Sequence, residues 1–279
     1  MKESLGLEDL KAKLQESLSA RRSEASNSQI AGIPSPIEKA VSCEICRDRG
    51  WFTPDVPIAD PEFGEVLRCR CVDTTERMKT YSALPLELQG LTFETFGKGN
   101  SFDNKQTEQL GEFACLALEF AMGETVWKWL VLSGSLGWGK THLAVAIIIA
   151  QIEHPEWGAP PGKYGFCPEI LDELKDGFDD NTYHETMKIY QEAPLLLMDD
   201  LGSEYSKKGA DGLSWADEQL FRILDHRYVR RMPTIITSNT NPDRMNARIR
   251  DRIMDTGSGL CRVLNASLPS YRTGKVVSP

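Results

Sequence analysis

The hydrophobic positions of this chain fall into two regimes. Over residues 5–21 leucines recur three or four positions apart among charged residues, which predicts an amphipathic helix with one apolar stripe. From about Leu91 onward, short apolar runs alternate with helical patterns. The runs predicted to be strands are Trp129 to Leu132, Tyr164 to Phe166, Leu195 to Met198, Thr234 to Thr237 and Cys261 to Leu264. Short buried strands separated by helices predict an α/β fold, with a five-stranded parallel sheet covered on both faces.

The segments around these strands predict the domain organisation. Residues 22–40 are rich in Ser, Ala and Pro and predict a flexible linker behind the helix of residues 1–21. A helix set apart by a linker favours docking to a partner, and the alternative is that it folds back onto its own protein. Residues 41–73 form a small unit, 74–100 a connector and 101–279 the main domain. Within the last, Asp103 followed by Gln106 predicts a capping box for a helix that runs to about Met122.

Four of the seven cysteines are clustered in the unit of residues 41–73. Cys43 and Cys46 form one close pair, and Cys69 and Cys71 form another after a hairpin-sized insert. Two such pairs suit a tetrahedral Zn²⁺ with no open position, and a unit with so few large apolar residues needs a metal to fold. We therefore expect a structural zinc. The isolated cysteines are expected to be small buried hydrophobes: Cys115, Cys167 and Cys261.

Composition and charge restrict the function classes. A chain of 279 residues with a net charge of −9 is not coated in basic surface, although residues 222–252 carry eight arginines against three aspartates, 8 − 3 = +5. No apolar stretch approaches a membrane span, and the first residues lack the apolar centre of a signal peptide. We expect a cytoplasmic protein with unpaired thiols and no membrane partner.

Between the first predicted strand and the next helix lies a phosphate-binding P-loop, GSLGWGKT. Its glycines allow successive backbone amides to face a polyphosphate at the positive end of the following helix. Lys140 is predicted to reach the β and γ phosphates of ATP, and Thr141 to hold Mg²⁺. The predicted nucleotide-binding residues are Gly134, Gly137, Trp138, Gly139, Lys140 and Thr141.

Polar residues follow two later strands. Asp199 and Asp200 end an apolar strand, the Walker B arrangement. Asp199 is predicted to hold Mg²⁺ through water, and Asp200 to orient or deprotonate the attacking water. Asn239 ends the next strand at the same edge of the sheet. It is predicted to contact the γ-phosphate or the water, with capping of the turn before Pro242 as the alternative.

Several arginines come late in the chain. Arg248, Arg250 and Arg252 lie on a predicted helix, and Arg272 follows Ser270 and Tyr271. An arginine that meets the γ-phosphate from a neighbouring subunit accelerates phosphoryl transfer by orders of magnitude. One of these residues is therefore a candidate finger supplied in trans, and the alternative is a solvated surface charge.

Taken together, these motifs resemble the AAA+ ATPases of the DnaC and DnaI helicase-loader group, to which the transposition ATPase IstB is also similar. The resemblance covers about residues 43–272. Besides the cysteines, P-loop and Walker B strand, it is carried by the segments Thr92 to Phe96, Gly202, Arg227-Tyr228, Pro233 to Asn239 and Ser270 to Arg272.

The resemblance implies roles for individual residues. Asn239 resembles sensor I, Arg252 the arginine finger, with Arg248 as runner-up, and Arg272 sensor II. It also implies that the segment with Tyr205, Ser206, Lys207 and Lys208 faces single-stranded DNA, for which an aromatic ring and cations are suited. Many AAA+ proteins have Glu where this chain has Asp200, and the shorter side chain predicts slow hydrolysis.

The sequence therefore predicts an ATP hydrolase that loads a replicative helicase onto single-stranded DNA, in a bacterium or a phage, and self-associates through its ATPase domain. Two alternatives stay open. One is an IstB-like transposition accessory ATPase, and the other is an ATP-switched DNA-binding adaptor with little hydrolysis. A metabolic kinase is disfavoured, because it gives no reason for sensor-like residues.

Overall fold

A computed structural model describes residues 51–54, 56–57, 64–68, 77–97, 103–157, 162–203 and 214–271. Its main feature is the expected five-stranded parallel sheet, ordered β4-β5-β6-β3-β7. The strands are β3 (Trp129–Gly134), β4 (Gly162–Phe166), β5 (Leu195–Asp199), β6 (Thr234–Thr237) and β7 (Cys261–Ala266). All four neighbouring pairs run parallel, so the carboxyl ends of the strands lie at one edge of the sheet.

Helices cover both faces of the sheet. They are α1 (Asn104–Ala121), α2 (Lys140–Glu153), α3 (Cys167–Asp180), α4 (Tyr183–Glu192), α5 (Trp215–Val229) and α6 (Ala247–Ile253). One apolar core joins α1 and α2 to the sheet residues Leu130, Leu132, Leu197 and Ile235. A second joins α3 to α6 to the alternate sheet positions, among them Val131, Leu196 and Ile236. Because successive strand residues point to opposite faces, the central strands β3, β5 and β6 contribute to both cores, and β3 and β5 contain continuous apolar runs.

Helix α1 begins as the sequence predicts. The Asp103 carboxylate accepts from the Gln106 backbone N–H at 2.8 Å, and the Gln106 side chain accepts from the Asp103 N–H at 3.1 Å. The helix ends at Ala121, one residue before the predicted Met122. The reciprocal bonds satisfy two amides that the first turn leaves unpaired, which fixes the starting point.

The last strand, β7, lies at an edge of the sheet. Its Arg262 is exposed, whereas Cys261 and Leu264 of the same strand are buried. An edge strand has one ladder open to solvent, so a charged side chain is tolerated there. Cys115, Cys167 and Cys261 are buried in the apolar cores, as expected.

The N-terminal part is described only over short stretches. β1 (Trp51–Phe52) pairs antiparallel with β2 (Leu67–Arg68), between the two cysteine pairs. The helix of residues 1–21, the linker of 22–40 and the four clustered cysteines lie outside the described residues and stay predictions. Within the described ranges, no helix is long and apolar enough to cross a membrane.

Candidate functional site

The P-loop joins the end of β3 to the start of α2. Gly139 caps α2 with φ 108°, and no side chain caps the first turn of that helix. Gly137 has φ 81°, and a Cβ there would overlap the side chain of Ser270. Both values lie in the left-handed region that favours glycine. The loop thus presents the amides of α2 at the positive end of the helix, where a phosphate is stabilised.

Lys140, the first residue of α2, is buried, with 6% of its surface exposed. Its ammonium donates to the carbonyls of Gly134 at 3.2 Å and Ser135 at 2.6 Å and lies 5.5 Å from the Trp138 ring centre. Burial lowers the pKa of Lys140 to about 8, although Asp200 and Asp199 act in the opposite direction. An anion beside this ammonium would favour its charged form.

The Trp138 side chain turns away from the loop into the core. It is 2% exposed, its ring lies 5.5 Å from that of Phe113 on α1, and its indole N–H donates to the Ser133 carbonyl at 3.0 Å. Only the backbone of Trp138 is therefore suited to a phosphate, and its ring anchors the loop to α1.

The two predicted magnesium-binding residues lie together. Thr141 on α2 donates to Oδ1 of Asp199 at the end of β5, at 2.8 Å. Burial raises the pKa of Asp199, while hydrogen bonds from Thr237, Thr141 and Tyr164 oppose the shift. A hydroxyl and a carboxylate are the oxygen ligands that Mg²⁺ takes in nucleotide sites, so these residues fit that ion.

Asp200 and Asn239 also meet at the carboxyl edge. The Asn239 amide donates to Oδ1 of Asp200 at 2.5 Å. Asp200 has φ 60°, an uncommon conformation for a residue other than glycine, and its N–H donates to the Thr237 hydroxyl at 2.9 Å. A carboxylate and an amide held side by side at this edge are suited to orienting a water molecule.

Two residues of this site were missed by the sequence reasoning. Thr237 donates to Oδ1 of Asp199 at 2.6 Å, and Tyr164 on β4 donates to Oδ2 at 3.2 Å. Each lies within three positions of the carboxyl end of its strand, which is the signal that would have found them.

Two further segments lie against the P-loop. Phe96, in the segment 92–96, contacts Gly139 so closely that a Cβ there would lie 2.8 Å from its ring. His142 on α2 is within 2.9 Å of the Thr92 carbonyl and 3.1 Å of the Thr95 hydroxyl, and burial lowers its pKa. These contacts explain why Thr92 to Phe96 accompanies the P-loop motif.

The chain after β7 is fastened to the other side of the loop. The Ser135 N–H donates to the Ala266 carbonyl, its hydroxyl donates to the Leu268 carbonyl at 2.7 Å, and the Tyr271 N–H donates to the Gly137 carbonyl at 2.9 Å. Arg272 is the next residue and lies outside the described part of the chain, as do Tyr205 to Lys208.

The two candidate finger residues lie on α6. Arg252 donates to Asp225 at 3.0 Å and to Asp251 at 2.6 Å, and its guanidinium lies 4.7 Å from the Tyr228 ring centre. The Arg248 guanidinium stacks 3.7 Å from the Phe221 ring centre and is exposed. The contacts described for both side chains are with α5 and α6 rather than with the P-loop of the same chain.

Arg227 was predicted to belong to the basic region of residues 222–252, but its side chain does not lie on the surface. It is fully buried, and burial lowers its pKa to about 10. Its guanidinium donates to the Thr234 hydroxyl and to four backbone carbonyls, those of Tyr190, Gln191, Ala193 and Pro233. Arg227 therefore ties α5 to α4, the turn after it and the start of β6, and adds no charge to the surface.

Comparison with known proteins places this site in a family. Residues 76–269 match the family described as IstB-like ATP binding protein. The replicative helicase loader DnaI of Bacillus subtilis is 32% identical over 119 residues, 42% of this chain and 35% of DnaI. An ATP-binding protein in an insertion sequence of Mycobacterium tuberculosis is 26% identical over 160 residues, 55% of this chain and 57% of the relative.

Solved structures include similar chains. A crystal structure of DnaI is 26% identical, with 66% of this chain and 94% of that chain covered and a TM-score of 0.48. The DnaC helicase loader is 24% identical, with 65% and 99% covered and a TM-score of 0.46. The chain thus spans about a third of DnaI of Bacillus subtilis and a little over half of the insertion-sequence protein.

Proposed function

Because the chain belongs to the IstB-like ATP-binding family, we propose that it is an AAA+ ATPase that loads a replicative helicase onto single-stranded DNA. ATP binding follows from the family, whereas hydrolysis, the helicase and the DNA are the proposed part. The observation that carries hydrolysis is the pair of contacts at the carboxyl edge, Thr141 with Asp199 and Asn239 with Asp200.

Each residue has a chemical task in this proposal. The amides of the P-loop and the Lys140 ammonium bind and orient the β and γ phosphates. Thr141, and Asp199 through water, would hold Mg²⁺, which would neutralise charge on those phosphates. Asp200 accepts a proton from the attacking water or orients it, and Asn239 holds the Asp200 carboxylate in place. Arg272, two positions after Ser270, is proposed to reach the same phosphates as sensor II.

We propose that a second copy of the chain completes the site. Arg252 supplies the positive charge to the γ-phosphate of its neighbour, with Arg248 as the alternative. The paired carboxylates of Asp225 and Asp251 and the Tyr228 ring hold the Arg252 guanidinium on the α6 surface. An arginine held in a fixed position loses less entropy when it meets a phosphate.

The loader role is supported by the identity with DnaI, described as a replicative helicase loader, over 119 residues. The N-terminal helix and the proposed zinc unit of residues 41–73 suit docking onto a helicase. Residues 205–208 are proposed to contact single-stranded DNA. A transposition accessory role is the second candidate, because the family carries the IstB name and one relative belongs to an insertion sequence.

A capture experiment separates the two roles. The full-length tagged chain is incubated with host lysate in the presence of ATP, and captured proteins are identified by mass spectrometry. The loader proposal expects a ring-forming replicative helicase, and expects its loss when residues 1–40 are deleted. Recovery of a transposase in place of the helicase would overturn the proposal and favour the transposition role.

A further inference from the structure

The Asp199 carboxylate accepts hydrogen bonds from three hydroxyl groups, each on a different element. Thr141 on α2 and Thr237 on β6 both donate to Oδ1, at 2.8 and 2.6 Å. Tyr164 on β4 donates to Oδ2 at 3.2 Å. Oδ1 therefore accepts two of these hydrogen bonds and Oδ2 accepts one.

The strand register explains why these side chains meet. Tyr164 is paired with Leu197 on β5, and Leu197 is paired with Ile235 on β6. Asp199 and Thr237 come two positions after these two β5 and β6 residues, so their side chains lie on the same face of the sheet. That face is covered by α2, whose first turn carries Thr141.

The hydrogen bonds leave one carboxylate oxygen better able to accept a further hydrogen bond from a metal-bound water molecule. A carboxylate has about four lone-pair positions, two on each oxygen. Oδ1 has two hydroxyl donors and is saturated, whereas Oδ2 has one donor, Tyr164, and one position left. The water molecules around a bound Mg²⁺ are donors that need such a position.

We propose that Tyr164 is a positioning residue for magnesium binding. Its hydroxyl orients Oδ2 of Asp199 so that the remaining lone pair accepts a hydrogen bond from a metal-bound water molecule. The inference rests on the proposed nucleotide site and adds a residue that the P-loop and Walker B motifs do not contain. The phenol of Tyr164 is only partly buried, and its hydroxyl reaches Asp199 from the neighbouring strand. Removal of such an outer partner lowers metal affinity by about tenfold or more.

The test compares two Tyr→Phe substitutions, each of which removes one phenol hydroxyl. Tyr164→Phe removes the donor to Asp199. Tyr190→Phe removes another phenol hydroxyl, which donates to Glu173 on α3 at 2.6 Å and not to Asp199. Binding of a fluorescent ATP analogue is measured in EDTA and during titration with MgCl₂, and Mn²⁺ binding to the protein–nucleotide complex is followed by electron paramagnetic resonance.

The proposal expects nucleotide affinity in EDTA to stay within about twofold of wild type for both variants. The metal concentration for half-maximal effect should rise about tenfold in Tyr164→Phe and stay unchanged in Tyr190→Phe. In an Asp199→Asn background, Tyr164→Phe should cause no further change, because the two residues act through one contact.

Other outcomes overturn the inference. An unchanged metal dependence in Tyr164→Phe, an equal loss of affinity with and without metal, or failure of this variant alone to fold would each assign the hydroxyl a structural role. These results leave the proposed function intact. A wild-type chain that binds no nucleotide, with or without Mg²⁺, would instead refute the nucleotide site itself.

Discussion

The depressed pKa of Lys140 predicts an unusual pH dependence of nucleotide binding. Burial lowers this pKa from 10.5 to about 8, so about half of the unbound chains have a neutral Lys140 at pH 8. A triphosphate beside the ammonium stabilises the charged form, so binding above pH 8 requires uptake of one proton. The dissociation constant for ATP should therefore rise by about tenfold per pH unit above pH 8.

The expected change in the dissociation constant follows from the titration curve of the single Lys140 ammonium. Between pH 7.5 and 9.5 the dissociation constant should increase ~25-fold, if the pKa in the complex exceeds the upper end of this range. The phosphates of ATP are almost fully ionised in this range and add little slope. The free energy of unfolding depends on pH in the opposite direction. The unfolded chain keeps the Lys140 proton up to about pH 10.5, so the free energy of unfolding rises with pH between about 8 and 10.5.

The assay is fluorescence titration of a labelled ATP analogue at constant ionic strength and Mg²⁺. Lys140→Arg is the matched control, because a guanidinium stays charged throughout the range. Its curve should be flat even if its affinity is lower. A flat curve for the wild type, or the same slope in Lys140→Arg, would show that deprotonation of Lys140 does not weaken nucleotide binding.

Arg227, Asp200 and the clustered cysteines can each be tested by substitution. Arg227→Met leaves four backbone carbonyls without this donor. It should lower the free energy of unfolding by about 3–5 kcal/mol in urea denaturation. Arg230→Met, at an exposed position, is the control and should change it by less than about 0.5 kcal/mol. Asp200→Glu extends the proposed water-activating carboxylate by one methylene and should raise kcat about tenfold in a phosphate-release assay; a fall would contradict the slow-hydrolysis argument. Elemental analysis should find about one zinc per chain, lost on replacement of Cys43 and Cys46 by Ser, and a folded chain with no zinc would refute the four-cysteine site.

The sequence predicted the sheet and the start of α1 because both depend on local patterns. The central strands β3, β5 and β6 have consecutive apolar residues followed by turn or polar residues, and the Asp103 capping box fixes a helix start within four residues. That Thr141 and Asp199 lie together was predictable for the same reason. The P-loop has a fixed spacing, and parallel strands bring their carboxyl ends to one edge.

The remaining features depend on contacts between distant segments. Tyr164 and Thr237 meet Asp199 across 35 and 38 positions of chain, which periodicity does not encode. Arg227 was counted as a surface charge, because a sequence does not show that five oxygen acceptors surround a buried guanidinium. The inward turn of Trp138 likewise depends on the place of Phe113 on another helix.

The proposed function requires that ATP is hydrolysed at a site shared by two copies of the chain. Its most direct test mixes Asp200→Asn subunits, which lack the proposed water-activating carboxylate, with Arg252→Ala subunits, which lack the proposed finger. Parallel mixtures use Arg248→Ala. We predict that each variant alone is nearly inactive and that mixing Asp200→Asn with Arg252→Ala restores part of the ATPase rate, because some interfaces then have both groups intact. No gain on mixing with either arginine variant, although the subunits co-assemble, would contradict the shared site.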